Sequence, residues 1–280
     1  MTPFFAQRFL NVPLLLEGRR AASMLEGLRA PRADFGEDDG PEIYELVKRD
    51  DGRRYELVDG VAIIPVRGIL VHGAAWGFFG ETSYDDVRKM VAAAISDEDA
   101  TAIALHIDSP GGEVCGCFDL ADDIYYAREI KPIYAICDEN AFSAAYAIAS
   151  AASKIYVPRT GGVGSIGVIA LRLDITGALA QMGIKITTLA FGERKTDTYP
   201  TTPLSAEAEK RLQADIDVLG EIFLQIVARN RGIDIEKVRE MQAGTFLGQS
   251  GVNSGLADAV FTPAQAFLMV SQANPAISRQ

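Results

Sequence analysis

The feature that most constrains the fold is an alternation of apolar strands with amphipathic helices, which begins near Glu56 and continues through most of the chain. The stretch VAIIPVRGIL has the branched apolar residues of a strand. It is followed by SYDDVRKMVAAAIS, where Ser83 precedes a helical pattern as an N-cap, and by AIALHID, a short run typical of a buried strand. Because helices that alternate with apolar strands connect parallel strands, the sequence predicts an α/β fold with a mostly parallel sheet.

The same rhythm predicts the remaining elements. One helix is predicted from Cys115 to Arg128, before the helix-breaking Lys131-Pro132, and another from Ser143 to Ser153. A long amphipathic helix is predicted from about Ser205 to Asn230, because its apolar residues fall on one side. Further strands are predicted at PIYAICD, KIYVP, SIGVIAL and IKITTLA.

The start of the chain differs from this body. Residues 1–53 contain the proline- and charge-bearing stretch APRADFGEDDGPE and little sustained periodicity. They are predicted to form an N-terminal arm that serves assembly, with one short helix at Ala21–Leu28. Residues 54–262 are predicted to form the domain, and residues 263–280 a C-terminal tail.

Composition excludes several classes of protein. The chain has 280 residues, of which 48% are hydrophobic, enough for one large core or two modest ones. Its 27 basic and 38 acidic residues give a formal net charge of −11, which argues against binding along a nucleic-acid backbone. No segment approaches the roughly 20 apolar residues of a membrane span, and no signal peptide is recognised. We therefore expect a cytoplasmic protein that binds neither nucleic acid nor membrane.

The three cysteines do not indicate a metal site or a disulfide framework. Cys115 and Cys117 have the spacing Cys-Gly-Cys, which does not match the usual zinc patterns, and Cys137 leaves an odd number. We interpret all three as reduced packing residues, and no metal is predicted.

Two stretches contain candidate groups for reaction at a carbonyl. In DSPGG, residues 108–112, two glycines follow the strand predicted to end at Asp108; they allow positive φ and direct backbone N–H groups at an oxygen, unless this is an ordinary turn. In ENAFSAAYAIASAASKI, Ser143 stands where a helix is predicted to begin. Its N–H groups and dipole favour a developing negative charge there, although a plain N-cap serine is the alternative.

Two later stretches are less specific. GGVGSIG, residues 161–167, allows its backbone to pack closely against another element; no lysine follows at the spacing of a phosphate loop. FGERKTDTYP follows a predicted strand and has Lys195 in its middle. Taken alone, a lysine in such a polar loop is usually solvated.

A nucleophilic serine needs a base, and the candidates are few. His72 and His106 are the two histidines of the chain, and both lie in or next to predicted strands, so a Ser-His-Asp triad has little support. Lysine is the other base that proteins use with serine, provided that desolvation lowers its pKa from about 10.4. Walls of alanine and glycine supply such an environment.

In the order LHIDSPGGEV, AFSAAYAIASAASKIYV, TGGVGSIGV and FGERKTDTYP, these stretches resemble the signal peptide peptidase A (protease IV) family of serine proteases. Within it they are most similar to the phage head maturation proteases of the protein C type. The resemblance covers roughly Val61 to Val260, including the late stretch ARNRGIDIEKVREMQAGTFLGQSGVNSGLADAV. It implies a ClpP/crotonase-like fold of repeated ββα and βαβ units and a Ser/Lys dyad.

The resemblance also implies site residues. Ser143 corresponds to the nucleophile, Lys195 to the general base, and Ser165 of the Gly-Ser-Ile-Gly motif to the residue that orients the lysine. Gly112, with Gly111 beside it, corresponds to the backbone donor of the oxyanion hole. The sequence SAA replaces the Ser-Gly-Gly of secreted relatives, which affects helix packing rather than the nucleophile.

Substrates and partners follow from the same resemblance. It implies scaffold, portal or other head proteins as substrates, cut in the host cytoplasm within assembling phage or prophage heads, with no cofactor. It also implies a ring-like homo-oligomer, and the spacing of Ser143 and Lys195 fits a dyad within one chain or across two. We expect the phage type because SAA replaces Ser-Gly-Gly and because no membrane anchor or second protease-like half is recognised. Separately, the small and apolar residues near Ala141 and Phe142 predict small or apolar P1 and P3 groups in the substrate.

Three other functions remain open. The first is a cytoplasmic protease of general peptide turnover, similar to signal peptide peptidase. The second is a crotonase-type acyl-CoA enzyme, which shares the fold and the glycine pair but needs a glutamate or similar base and gives Lys195 no role. The third is a catalytically silent shell or scaffold-binding protein of the capsid.

Overall fold

A computed structural model describes residues 9–27, 52–75 and 80–276. The strands in these ranges are β1 (Pro13–Leu16), β2 (Glu56–Val58), β3 (Val61–Val71), β4 (Thr82–Ser83), β5 (Ala102–Glu113), β6 (Ile133–Phe142), β7 (Lys154–Val157), β8 (Gly162–Gly164), β9 (Ile169–Ala170), β10 (Thr245–Leu247) and β11 (Ala259–Val260). The α-helices are α1 (Gly18–Gly27), α2 (Tyr84–Ser96), α3 (Cys117–Ala127), α4 (Ala144–Ser150), α5 (Thr176–Gln181), α6 (Ala206–Arg231), α7 (Ile235–Glu240), α8 (Gln249–Asn253) and α9 (Pro263–Ala273).

All of these strands belong to one sheet with a parallel centre. β3, β5, β6 and β7 lie side by side in that order, and β11 extends the sheet beyond β7. β8 lies parallel to the last residues of β6. Among the described strands, the antiparallel pairs are β2 with β3, β8 with β10, and β1 with both β5 and β9. The predicted α/β class with a mostly parallel sheet is therefore confirmed.

The central strands are buried on both faces. In β5, Ile103, Leu105 and Ile107 belong to the main core, which includes residues of α2, α3 and α4. The alternate residues Ala102 and Ala104 belong to a second cluster, which the C-terminal helix α9 covers. Burial on both faces explains why these strands are nearly continuous apolar runs in the sequence.

Most predicted helices agree with the structure. α3 lies within the predicted range, and α6 differs from its predicted bounds by one residue at each end. Ser83 caps α2 as predicted, because its hydroxyl accepts a hydrogen bond from the backbone N–H of Asp86. α4 is shorter than predicted and ends at Ser150. No helix in the described ranges has both the length and the apolar character needed to cross a membrane.

Part of the predicted N-terminal arm joins the sheet. β1 is inserted between β5 and β9, and its residues Leu14, Leu15 and Leu16 are buried. α1 overlaps the helix predicted at Ala21–Leu28, whose last residue lies outside the described ranges. The division into arm, domain and tail stays a prediction.

Residues 171–200, here called the exposed segment, contain one clear error of prediction. The strand predicted at IKITTLA is wrong, because residues 184–190 form neither helix nor strand. Their alternating apolar pattern suits a strand, but no strand of the described chain pairs with them. Leu189 is 92% exposed and Phe191 is fully exposed. The strand predicted at SIGVIAL is reduced to β9.

Candidate active site

Ser143 lies at the junction of β6 and α4, where the chain passes from the sheet into the helix. Its backbone has φ 55° and ψ −116°, a strained combination for a non-glycine residue that costs on the order of 1–3 kcal/mol. Its N–H donates to Gly164 O at 2.8 Å, which holds this conformation. The alternative of a plain N-cap serine is not observed, because the hydroxyl makes no cap hydrogen bond. The buried Oγ instead lies 3.5 Å from Gly167 O.

The helix that follows Ser143 is short, consists mostly of small residues, and is held by hydrogen bonds to other parts of the chain. All seven residues of α4 are buried. Tyr146 donates its hydroxyl hydrogen to Leu256 O at 2.9 Å, and Asn230 Nδ2 of α6 donates to Ser150 Oγ at 3.0 Å. Because a helix dipole sums over few peptide units in so short a helix, α4 offers less electrostatic stabilisation than the sequence predicts. Its main contribution is the fixed position of Ser143.

The GGVGSIG stretch packs against the end of β6, as the sequence predicts. In the parallel pair of β6 and β8, Phe142 lies opposite Gly164. A Cβ atom on Gly161 would lie 2.0 Å from Glu139 O, and one on Gly164 would lie 2.6 Å from Gly244 O. Any side chain at these positions would therefore displace the loop that accepts the Ser143 hydrogen bond.

Ser165 lies one residue beyond the backbone contact of Ser143. It has φ 55° and is 7% exposed, and its N–H donates to Gly244 O at 2.8 Å. Its neighbour Gly164 accepts the hydrogen bond from Ser143. The loop thus brings Ser165 to the site, although no hydrogen bond joins its hydroxyl to Lys195 within this chain.

The glycine pair at the end of β5 also reaches Ser143. A Cβ atom on Gly111 would lie 3.0 Å from Ser143 Cβ, and the φ of Gly111 is 107°. The Gly111 N–H donates to Ser109 Oγ at 3.1 Å, while a Cβ atom on Gly112 would lie 1.8 Å from Leu70 O. The strand predicted to end at Asp108 continues to Glu113, because β1 and β3 pair with its last residues.

Lys195 makes no hydrogen bond with Ser143 or Ser165 within one chain. It lies in a 3-10 helix, Glu193–Thr196, on the exposed segment. Its side chain is exposed, and no hydrogen bond or ion pair joins its Nζ to another described residue. The desolvated surroundings that the sequence predicts for this lysine are therefore absent within the described part of a single chain.

Other candidate nucleophiles and bases are engaged elsewhere or unreactive. Arg67 Nη2 lies 3.0 Å from His106 Nδ1, and Asp138 lies 3.8 Å from Nε2; burial and Arg67 lower the pKa of His106. The three cysteines are free thiols, and Cys117 and Cys137 are buried as predicted, whereas Cys115 is exposed and the prediction that it is a packing residue is wrong. Burial raises the pKa of Cys117 and of Cys137 to about 12, so both stay protonated near neutrality. The described residues include no group of three or more side chains suited to holding a metal.

Two contributors to the site are missed by the sequence reasoning. Ser109 is buried and orients the amide of Gly111. A serine two residues before a backbone N–H is the signal of a side-chain turn that could have indicated this. β1 is the second, and its PLLL run gives only a weak strand signal because it is short and lacks alternation.

The parallel sheet and the strained serine beside a glycine pair define a ClpP/crotonase-like protein of the α/β class. Residues 126–274 match the family described as Peptidase family S49, so the chain belongs to that family. The match includes Ser143, Ser165 and Lys195; Gly111 and Gly112 precede it.

Individual relatives point to phage proteins. Head-tail preconnector protein GP5 of Enterobacteria phage P21 is 39% identical over 223 residues, which are 79% of this chain and 44% of that protein. Capsid assembly protease C of Escherichia phage lambda is 33% identical over 240 residues, 85% of this chain and 53% of that protein. Protease 4 of Haemophilus influenzae is a more distant relative, 23% identical over 208 residues, 74% of this chain and 33% of that protein. The chain thus spans about half the length of the two phage relatives.

Proposed function

We propose that this chain is a serine endopeptidase in which Ser143 is the nucleophile and Lys195 the general base. Ser165 orients the lysine, and the backbone N–H of Gly112, with Gly111 beside it, stabilises the oxyanion. The observation that carries the proposal is the conformation of Ser143 next to the glycine pair. Its backbone is strained, the residue is buried, and its hydroxyl makes no helix-capping hydrogen bond. Strain of this kind is typical of functional residues.

The reaction follows from these roles. Neutral Lys195 takes the proton of Ser143, and Oγ attacks the carbonyl carbon of a peptide bond. The Gly112 N–H donates to the oxyanion of the tetrahedral intermediate. Protonated Lys195 then gives its proton to the leaving amine as the C–N bond breaks. Water, deprotonated by the same lysine, cleaves the acyl-enzyme ester and restores Ser143.

The dyad is shared between copies of the chain. Lys195 is exposed in one copy, whereas a neighbouring copy docked on the exposed segment supplies both a Ser143 and an apolar cover. Met182, Leu189 and Phe191 on this segment are exposed apolar side chains, which supports an interface at this place. A head-to-tail contact of this kind closes into a homo-oligomeric ring.

The substrates are proteins of an assembling phage head, namely scaffold, portal or neighbouring head proteins, cut within the host cell. The similarity to a capsid assembly protease and to a head-tail preconnector protein supports this choice over general peptide turnover.

The test compares cleavage of a co-expressed scaffold-like protein by wild type, Ser143→Ala and Lys195→Ala, with fragments identified by mass spectrometry. Both substitutions are expected to lower cleavage by more than about 10³-fold, because the nucleophile and its base act as one unit. Ser153→Ala and Lys185→Ala, a nearby serine and another exposed lysine of the same segment, are expected to cleave like wild type. Continued cleavage in either dyad variant would assign that role to another residue, and a folded but inactive wild type would favour the silent shell protein.

A further inference from the structure

β1 occupies an unusual position for a strand of this sheet. It lies antiparallel between the end of β5 and β9, with Leu15 opposite Gly112, Leu16 opposite Gly111, and Leu14 between Glu113 and Ile169. The backbone bond from Glu17 N–H to Pro110 O, 2.9 Å, continues this pairing. Without β1, the end of β5 and β9 would be two open edges facing each other across a groove.

The middle of β1 lies close to the candidate nucleophile, because both contact the position of Gly111. A Cβ atom on Gly111 would lie 2.1 Å from Leu15 O and 3.0 Å from Ser143 Cβ. The carbonyl oxygen of Leu15 and the Cβ of Ser143 therefore both lie within 3.0 Å of the position that a Cβ atom of Gly111 would occupy. A peptide that is to be cut must present a carbonyl near Ser143, and β1 places the carbonyl of Leu15 beside the neighbouring Gly111.

The side chains of β1 fill two separate apolar sites. Leu15 belongs to the main core, which includes Ala141 and Ala144 on either side of Ser143. Leu14 and Leu16 point to the opposite face and belong to a separate cluster. Backbone pairing along an edge, with pockets for alternate side chains, is how proteins recognise extended peptides by strand addition.

Several features make β1 an exchangeable strand rather than a permanent one. It pairs with β5 through three residues and with β9 through two. Pro13 lacks the N–H that a central strand uses. Asn11, just before the strand, has φ 61°, and its buried Oδ1 accepts no hydrogen bond from the described residues. The strand thus begins with an unsatisfied polar group that its departure would expose to water.

The groove also continues beyond β1. A cleft of about 570 Å³ adjoins the N-terminal end of the strand, lined by Val12, Pro13, His72, Glu113, Val114 and Cys115, together with Leu219. An extended peptide that replaced β1 would have room for further residues at this end.

We propose that the groove between the end of β5 and β9 binds extended apolar peptides, and that β1 is its resident, self-inhibiting occupant. A substrate displaces β1, pairs with Gly111–Glu113 in the same antiparallel direction, and places a leucine-like residue in the site of Leu15, with its carbonyl at Ser143. This inference rests on the proposed function, which it extends to substrate class and regulation.

The test uses binding, so that it does not depend on catalysis. The unlocked chain is the full chain with Ser143→Ala and Cys115→Ser. The lockable chain carries Leu14→Cys and Glu113→Cys in addition, so that oxidation can join β1 to β5 by a disulfide. In an antiparallel ladder, hydrogen-bonded and non-hydrogen-bonded pairs alternate. Since Glu17 and Pro110 are a hydrogen-bonded pair, Leu14 and Glu113, three pairs further along, are a non-hydrogen-bonded pair. The Cα atoms of such a pair are about 4.5 Å apart, a distance that permits a disulfide. Intact mass confirms the bond. The probe is a fluorescein-labelled peptide, NVPLLLEGR, measured by fluorescence anisotropy.

The unlocked and the reduced chains are expected to bind this peptide, and the oxidised chain to bind it at least tenfold more weakly. The matched peptide NVPLDLEGR, with aspartate at the position of Leu15, is expected to bind at least tenfold more weakly to the unlocked chain. Equal binding to oxidised and reduced chains, or no binding to the unlocked chain, would overturn the proposal.

A second readout separates this inference from the proposed function. In chains that retain Ser143, oxidation of the lock is expected to stop cleavage of the scaffold-like protein, and reduction to restore it. Peptide binding without any cleavage would contradict the protease but not the groove. Cleavage that is unaffected by the lock would contradict the inhibitory strand but not the protease.

Discussion

At the scale of single residues, the site depends on backbone positions that only glycine can occupy without strain. Gly111 is the clearest case, since the space where its Cβ would stand is bounded by the carbonyl of Leu15 on one side and by Ser143 on the other. Its φ of 107° also lies in the region that other residues avoid.

Gly111→Ala is expected to destabilise the fold by about 1–3 kcal/mol, because alanine is strained at this φ and its methyl group collides with Leu15 O. Activity should fall further than stability explains, since the displaced strand end carries the candidate oxyanion donor. Urea denaturation and the cleavage assay measure the two effects. Gly177→Ala is the control: it lies in α5 with open space around its Cβ position, so it should be neutral or slightly stabilising.

Sequence reasoning was able to select Ser143 and the glycines because each has a local signal, a hydroxyl at a strand-to-helix junction or paired glycines after a strand. It does not establish the surroundings of Lys195, which is exposed in the single chain described and whose proposed role depends on the proposed contact between copies. The turn formed by Ser109 has a sequence signal, a serine two residues before the Gly111 N–H, but that signal alone does not show that the turn orients the glycine pair.

At the scale of elements, one charged cluster ties the start of the domain to the turn between α2 and β5. Asp97, which follows α2, accepts hydrogen bonds from Arg53 Nε at 2.7 Å, from the Tyr55 hydroxyl at 2.7 Å and from the Asp99 N–H at 3.0 Å. The Arg53 guanidinium, with help from the other donors, holds the pKa of Asp97 well below its usual range.

Asp97→Asn is expected to lower the free energy of unfolding by about 1–3 kcal/mol at pH 7, because charge-assisted hydrogen bonds are lost. A carboxylate whose pKa is depressed by folding stabilises the protein above its unfolded pKa, about 4, and loses this contribution as the pH falls further. The difference in free energy of unfolding between wild type and Asp97→Asn should therefore become smaller below pH 4. Urea denaturation at pH 7 and at pH 3 measures it.

The matched control is Asp215→Asn, on the exposed face of α6, which is expected to change stability little at either pH. A gap for Asp97→Asn that stays constant from pH 7 to pH 3 would contradict the assigned role of its charge.

Most elements were predictable because burial on both faces leaves continuous apolar runs, and because caps such as Ser83 mark helix starts. Two elements were not. β1 is held by long-range pairing rather than by its own pattern, and residues 184–190 have the pattern of a strand but pair with no strand of the described residues.

At the scale of the whole molecule, the exposed segment carries apolar side chains that are open to solvent, with Leu189 and Phe191 the most exposed. If a neighbouring copy binds this segment, equal mixtures of Ser143→Ala and Lys195→Ala chains should regain activity at about a quarter of the sites. This is the fraction in which random assembly brings an intact Ser143 from one chain to an intact Lys195 from its neighbour. Adding Leu189→Ser and Phe191→Ser to both chains should abolish this recovery and lower the sedimentation coefficient, because the apolar contact is lost.

Ile130→Ser, at another exposed apolar residue outside the segment, serves as the control and should leave recovery and sedimentation unchanged. Recovery that survives the Leu189 and Phe191 substitutions would locate the interface elsewhere. No recovery in any mixture would indicate that each active site is complete within one chain.

The hydrogen bond from Ser165 N–H to Gly244 O has a consequence for the order of synthesis. The ribosome makes Ser143 and its glycine loop long before residue 244, and β10, which pairs with β8, appears still later. A nascent chain therefore carries the serine well before the segment that locks its loop in place. Translation products that end before residue 244 lack this contact, so we expect the loop beside Ser143 to be held in place only in chains translated past β10.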